Sequence, residues 1–190
     1  MLDRTRDRLP AGRFGPTLPR GIDKGKHMRH VIAVLLENEA GALSRVANLF
    51  SARGYNIEAL SVAPTDDETV SRMTIVTQGT DEIIEQITKQ LNKLIDVIRV
   101  IDLTESAHIE REMMLVKVAV PREENGRLGQ LVEIFRGHVI DVAGDTYTIE
   151  LTGTGTKLDA FVDNLQGYDL IEVVRSGPLA IARGGRALRV

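Results

Sequence analysis

HVIAVLLENEAGALSRVANLF, residues 30–50, is the stretch whose reading decides the fold. Its first part, VIAVLL (31–36), is a continuous apolar run, which marks a strand buried on both faces. Its last part spaces Leu43, Val46, Ala47 and Phe50 at 0, 3, 4 and 7, the one-sided stripe of a helix. Between them, Asn38, Glu39, Ala40 and Gly41 make the turn, with a glycine where a better helix former was available. Arg53-Gly54 predicts the end of the helix, with Gly54 just past it.

The same grammar continues outward. NIEALSVAP (56–64) and TVSRMTIVT (69–77) predict two strands across a TDDE turn. Ile84, Ile87, Leu91 and Leu94 predict a second helix, with Thr80 or Asp81 at its start. DVIRVIDL (96–103) predicts a fourth strand. The order then repeats: MMLVKVAV (113–120), a helix on Leu128, Leu131, Val132 and Phe135 closed by Gly137, HVIDVA (138–143), TYTIEL (146–151), a helix on Leu158, Phe161, Val162 and Leu165, and DLIEVVR (169–175). Two β-α-β-β-α-β strings predict an α+β chain of two ferredoxin-like domains, each with both helices on one sheet face. The expected division is a leader over 1–28, a first domain over 29–105, a linker over 106–111, a second domain over 112–178 and a tail over 179–190 without regular structure.

That layout leaves the helix-free face of the first sheet to be explained. Val97, Ile98, Val100, Ile101 and Leu103 load both sides of the fourth strand, and the first strand is apolar throughout. A soluble monomer avoids exposing such a surface, so the sister domain, a second chain or both must cover it. The strand beginning at Asn56 lies at a sheet edge, open to another chain. An oligomer is the favoured expectation.

Composition narrows the function. The chain has 190 residues, 43% of them hydrophobic, and a net charge of −3, too balanced to point to nucleic acid or membrane. It has no cysteine, which excludes disulfides, thiolate metal sites and a thiol nucleophile. Aromatic residues are only 4%, so a base-stacking platform is not expected. The leader is rich in arginine, proline and glycine, lacks an apolar period and carries Asp3, Asp7 and Asp23, unlike a secretory or transit signal.

No catalytic constellation emerges. His27, His30, His108 and His138 share no metal-ligand spacing. GTGTKL (153–158) fails the phosphate-loop pattern, because Leu158 stands where Ser or Thr is needed. Asp66, Asp67 and Glu68 read as a solvated turn rather than a metal site. The chain is expected not to be an enzyme by itself, with no catalytic residue and no metal or cofactor of its own.

The turn at 38–41 is the remaining signal. A helix N-terminus offers free N–H groups and partial positive charge, enough to hold a carboxylate. Gly41 permits close approach and unusual dihedrals, and Asn38 both donates and accepts. An amino acid suits such a place. The alternative is a plain Asx-type turn, with Asn38 capping the helix and Gly41 easing the chain into it.

LLENEAGALSRVANLFSARGYNIEALSVAPTDD (35–67), SRMTIVT (71–77), EREMMLVKV (110–118), FRGHVIDVAGDTYTIELTGT (135–154), KLDAF (157–161) and VVRSGPLAIARG (173–184) together resemble the small, regulatory subunit of acetolactate synthase. Residues 29–105 look like its ACT domain. The resemblance implies a homodimer that activates a separate catalytic large subunit carrying thiamine diphosphate, FAD and magnesium. It also implies cytoplasmic location and feedback inhibition by valine in branched-chain amino acid biosynthesis, including the valine and isoleucine routes. By the same resemblance, valine is held by Asn38, Glu39, Ala40, Gly41, Ala42 and Leu43 of one chain and by Asn56 and Ile57 of the other. A second expectation keeps the amino-acid-sensing ACT module but couples it to a different enzyme of amino acid metabolism.

Overall fold

The computed structural model describes residues 28–190, so the leader over 1–27 lies outside the described residues. The first domain consists of β1 (Met28–Glu37), α1 (Ala42–Ala52), β2 (Ile57–Pro64), β3 (Val70–Gly79), α2 (Asp81–Leu91) and β4 (Val97–Asp102). Its strands lie in the order β2-β3-β1-β4, all antiparallel neighbours. The second domain repeats the pattern with β5 (His108–Ala119), α3 (Asn125–Ile134), β6 (His138–Ala143), β7 (Thr146–Gly153), α4 (Gly155–Asn164) and β8 (Asp169–Arg175), in the order β6-β7-β5-β8. The expected pair of ferredoxin-like sheets is therefore present.

Each domain has its own core between its helices and one sheet face. Ile32, Val34 and Leu36 of β1 pack with Val46 and Phe50 of α1, Met73 and Ile75 of β3, and Ile84, Ile87 and Leu91 of α2. Met114, Val116 and Val118 of β5 pack with Leu128 and Val132 of α3, Ile149 and Leu151 of β7, and Leu158 and Phe161 of α4. The three later helices bury the centres of the stripes read from their spacing, with Leu94, Leu131, Phe135 and Val162 partly buried beside them.

α1 does not bury quite the stripe its spacing suggested. Its buried residues are Ala42, Val46 and Phe50, with Leu49 packed beside them. Leu43 is 42% exposed, and Ala47 also faces solvent. At roughly 100° per residue, Leu49, Ala42, Val46 and Phe50 form one continuous arc, and Leu43 and Ala47 lie just past its edge. The apolar spacing of Leu43 was real, but it points away from the core.

The chain end departs most from expectation. Leu179–Ala182, expected to lack regular structure, forms β9. It pairs antiparallel with His108–Arg111, so much of the expected linker over 106–111 is already strand β5. The physical reason is burial. Val31, Ala33, Val76 and Leu103, on the helix-free face of the first sheet, are closed over by Ala180, with Ala182 and Leu188 packed against them. The chain's own terminal segment thus supplies much of the cover that the sequence reading assigned to a sister domain or second chain.

Candidate functional site

The turn between β1 and α1 is built around Gly41. It adopts φ +91° and ψ −11°, a left-handed conformation that L side chains resist. A glycine is needed here for the dihedral, and space is also short. A Cβ on Gly41 would lie 3.0 Å from Nη1 of Arg45. The Ala42 N–H donates to the Glu39 carbonyl at 3.2 Å, closing the turn, and the Arg45 N–H donates to the Gly41 carbonyl at 3.0 Å. No side chain caps α1. The N–H groups of Leu43 and Ser44 therefore have no intrahelical acceptor, the arrangement that suits an anion.

Asn38 is not the helix cap that the plainer reading required. Its Nδ2 donates to the Glu68 carbonyl at 2.8 Å, and its Oδ1 accepts from Ser71 Oγ at 3.0 Å. Its own N–H donates to the Thr69 carbonyl at 2.7 Å. Asn38 thus ties the end of β1 to the β2–β3 hairpin, because a short amide at the sheet rim reaches neighbouring backbone. An amide has two N–H donors and two acceptor sites, so half of its capacity stays available among the described residues.

Two residues that the sequence reading did not single out complete the loop. Arg45, in the first turn of α1, forms a two-pronged ion pair with Asp96, whose carboxylate is almost fully buried just before β4. The Nη2···Oδ1 arm measures 2.6 Å. The Arg45 hydrogen bond holds the Asp96 carboxyl below its usual range, against burial, which works in the opposite sense. The same pairing raises Arg45. The Asp96 carbonyl also accepts from the Glu37 N–H at 2.8 Å, so β1 and α1, the two elements flanking the loop, are fixed to one residue. One signal was legible: a cation in the first turn of a helix runs against the macrodipole and calls for a partner.

The remaining expected site residues divide by position. Glu39 and Ala40 are exposed on the loop, whereas the Ala42 side chain lies in the core. Asn56 is exposed at the start of β2, its carbonyl accepting from Thr77 Oγ1 at 2.6 Å, and Ile57 packs against the first core. Within one chain, Asn38 and Asn56 do not meet. Glu37 pairs with Val70 at one end of β3, while Ile57 pairs with Thr77 at the other. Seven residues of strand separate those rungs, roughly 23 Å.

The other motifs have local roles. Asp67 Oδ1 accepts from the Thr69 N–H at 2.9 Å and from Thr69 Oγ1 at 2.6 Å, which lowers its pKa and closes the β2–β3 turn. Thr154 in GTGTKL caps α4, and Lys157 Nζ donates to the Thr152 carbonyl at 2.8 Å. Among the described residues, no helix is long and apolar enough to cross a membrane.

A four-stranded β2-β3-β1-β4 sheet under two helices makes the first domain ferredoxin-like, and its family match makes it an ACT domain. Residues 32–99 match the family model of the AHAS small subunit-like ACT domain, and residues 111–184 match that of the small subunit of acetolactate synthase. The chain belongs to the family of acetolactate synthase small subunits. It is 53% identical over 163 residues to the acetolactate synthase isozyme 3 small subunit of Salmonella typhimurium, covering 85% of this chain and all of that one. It is 47% identical to the probable acetolactate synthase small subunit of Archaeoglobus fulgidus, over 84% of this chain and 99% of that one. The crystal structure of the small subunit from Thermotoga maritima superposes with a TM-score of 0.77 at 39% identity, over 84% of this chain and 99% of that one.

Proposed function

We propose that this chain is the regulatory subunit of an acetolactate synthase, that it binds and activates the catalytic large subunit, and that valine inhibits the assembly through a site shared by two copies of this chain. The observation carrying the shared site is the opposite placement of Asn38 and Asn56 on one sheet whose outer β2 edge, among the described residues, pairs with no further strand. Two β2 edges meeting about a two-fold axis run antiparallel, so the start of one lies beside the end of the other. Asn56 of one copy then comes to the rim that carries the partner copy's Asn38 loop. That loop is two strand spacings from the edge, about 10 Å.

Valine fits the charges of this junction. Its carboxylate takes the N–H groups of Leu43 and Ser44, and its ammonium takes amide oxygens of Asn38 and Asn56. Leu43, exposed rather than packed in the core, offers apolar contact to the side chain. Thiamine diphosphate, FAD and magnesium belong to the catalytic subunit in this reading. A ligand bridging two copies reports on their relative orientation. Its inhibitory power equals its difference in affinity between the two arrangements, about 1–3 kcal/mol in typical cases.

The test is acetolactate formation against valine concentration, with saturating catalytic subunit. Asn56→Ala removes a charge-assisted hydrogen bond without touching the α1 turn, and should weaken valine inhibition at least tenfold while leaving activation intact. Asn38→Ala should weaken it similarly and also loosen the hairpin held through Glu68 and Ser71. Wild-type valine sensitivity in Asn56→Ala would refute the shared site. Loss of activation in both variants would show that the loop serves structure alone.

A further inference from the structure

The helix-free face of the first sheet is not closed evenly by the terminal segment. Its residues form rows across the strands. Ala59, Val76 and Val31 make one row; Ser61, Thr74 and Ala33 the next; Ala63, Arg72 and Leu35 the third. Ala180 seals the first row. Over the second and third, the small side chains on β2 leave a recess of about 520 Å³ between the sheet, the two-stranded β5–β9 ribbon and the tail. That volume lies within the usual range of small-molecule sites, roughly 300–1,000 Å³.

Arg72 sits at the centre of this region and also lines the two adjoining recesses under the tail. Four arginines among the described residues, Arg29, Arg45, Arg127 and Arg175, pair with carboxylates. Arg72 pairs with none among the described residues. Its Nη2 donates to the Ala180 carbonyl at 2.7 Å, one bond for a group with five N–H donors. It is partly buried, and burial lowers its pKa. A desolvated guanidinium facing a cavity is completed by an anion, and its planar fork matches a carboxylate.

The walls select the kind of anion. Leu35, Ile109, Leu179, Ile181 and Leu188 make the lining mainly apolar. Arg111 also lines it and Asp66 is its single carboxylate, so the recess carries a net charge of about +1 (two guanidinium groups against one carboxylate). An inorganic dianion would leave the apolar wall unused, and a zwitterion would leave a positive charge uncompensated. We propose that this recess is a second ligand site, separate from the α1 loop, which takes an aliphatic monocarboxylate with its carboxylate on Arg72 and its hydrocarbon between Leu35 and the Leu179–Ile181 ribbon. A ligand there touches the first sheet, β5 and the terminal strand together, so its binding favours the closed seam between the domains.

Calorimetric titration of the full chain with acetate, butyrate, hexanoate, valine and inorganic phosphate tests the site. Hexanoate should bind, and affinity should rise roughly three- to fourfold per added methylene. Arg72→Met should weaken hexanoate at least tenfold. Ser61→Leu, which fills the floor and leaves Arg72 in place, should do the same with an unchanged circular dichroism spectrum. It decides the matter if Arg72→Met does not fold. Asn56→Ala, at the far end of β2 from the recess, should leave hexanoate binding as in the wild type. The proposal is overturned by no hexanoate binding at millimolar concentration, by equal affinity for acetate and hexanoate, or by hexanoate binding indifferent to Ser61→Leu. Phosphate binding with the same dependence on Arg72 would also overturn it, as would competition between valine and hexanoate, because either would remove the selectivity or the separateness claimed.

Discussion

At Gly41 one backbone angle sets the direction in which α1 leaves the sheet. Any L side chain at φ +91° bears a left-handed penalty of about 1–2 kcal/mol, and here its Cβ also crowds Arg45. Gly41→Ala should therefore lower stability by about that amount, read from urea unfolding, and an unchanged midpoint would show that the turn relaxes freely. The neighbouring Asp96 makes stability depend on acid. Its carboxyl is held below its ordinary value of 3.8 by the Arg45 hydrogen bond. A depressed carboxyl stabilises the fold above that ordinary value, and the contribution fades as pH falls through the lowered one. Asp96→Asn cannot follow this titration. The melting-temperature gap between wild type and Asp96→Asn should be full at neutral pH and should narrow as pH drops below 3.8. A gap that stays constant into strong acid would mean that the ion pair contributes nothing. The glycine was legible in the sequence as an anomaly at a helix start. Asp96 was not, because its partner lies 51 residues away and only the folded chain brings them together.

For single elements, the apolar period identified the four α-helices of the described residues and erred on the phase of one. Leu43 and Ala42 stand about 100° apart on α1, and both lie near the arc of Val46 and Phe50. The larger side chain seemed the natural core member. The alanine is inside instead, because α1 begins there, directly above the sheet. Stability should follow the observed arc. Phe50→Ala, at a site 1% exposed, should cost about 3–5 kcal/mol. Leu43→Ala should stay within about 0.5 kcal/mol. Chemical denaturation of the two variants checks this, and comparable losses would restore Leu43 to the core. Strands were legible wherever apolar residues alternated or ran on. β9 was not, since LAIA (179–182) is short, follows a proline and gains its order from the sheet face it covers rather than from its own propensity.

Across the whole molecule, the two domains are joined by more than a linker. β5 runs for 12 residues, its start pairing with β9 and its remainder with β7 and β8. β9 in turn lies over the helix-free face of the first sheet, and Arg72 binds its Ala180 carbonyl. The chain leaves the second domain at Arg175, bends at Ser176–Pro178 and returns to close the first. Ser176 Oγ accepts from the Met113 N–H at 3.1 Å, which holds the bend against β5. A change in how the domains sit thus reaches the first sheet through residues 179–190, without passing through either helical core. Removing those residues should uncover Val31, Ala33, Val76 and Leu103 together. Each Å² of apolar surface reopened costs roughly 25 cal/mol. The truncated chain should melt at lower temperature and bind more of a hydrophobic dye than the full chain, which already exposes apolar residues on β6 and β8. Its β2 edge is untouched, so light scattering should report the same assembly state at low concentration. If melting and dye binding both match the full chain, the terminal segment is not the cover of that face, and the sister domain, a second chain or both take that role, as the sequence first suggested.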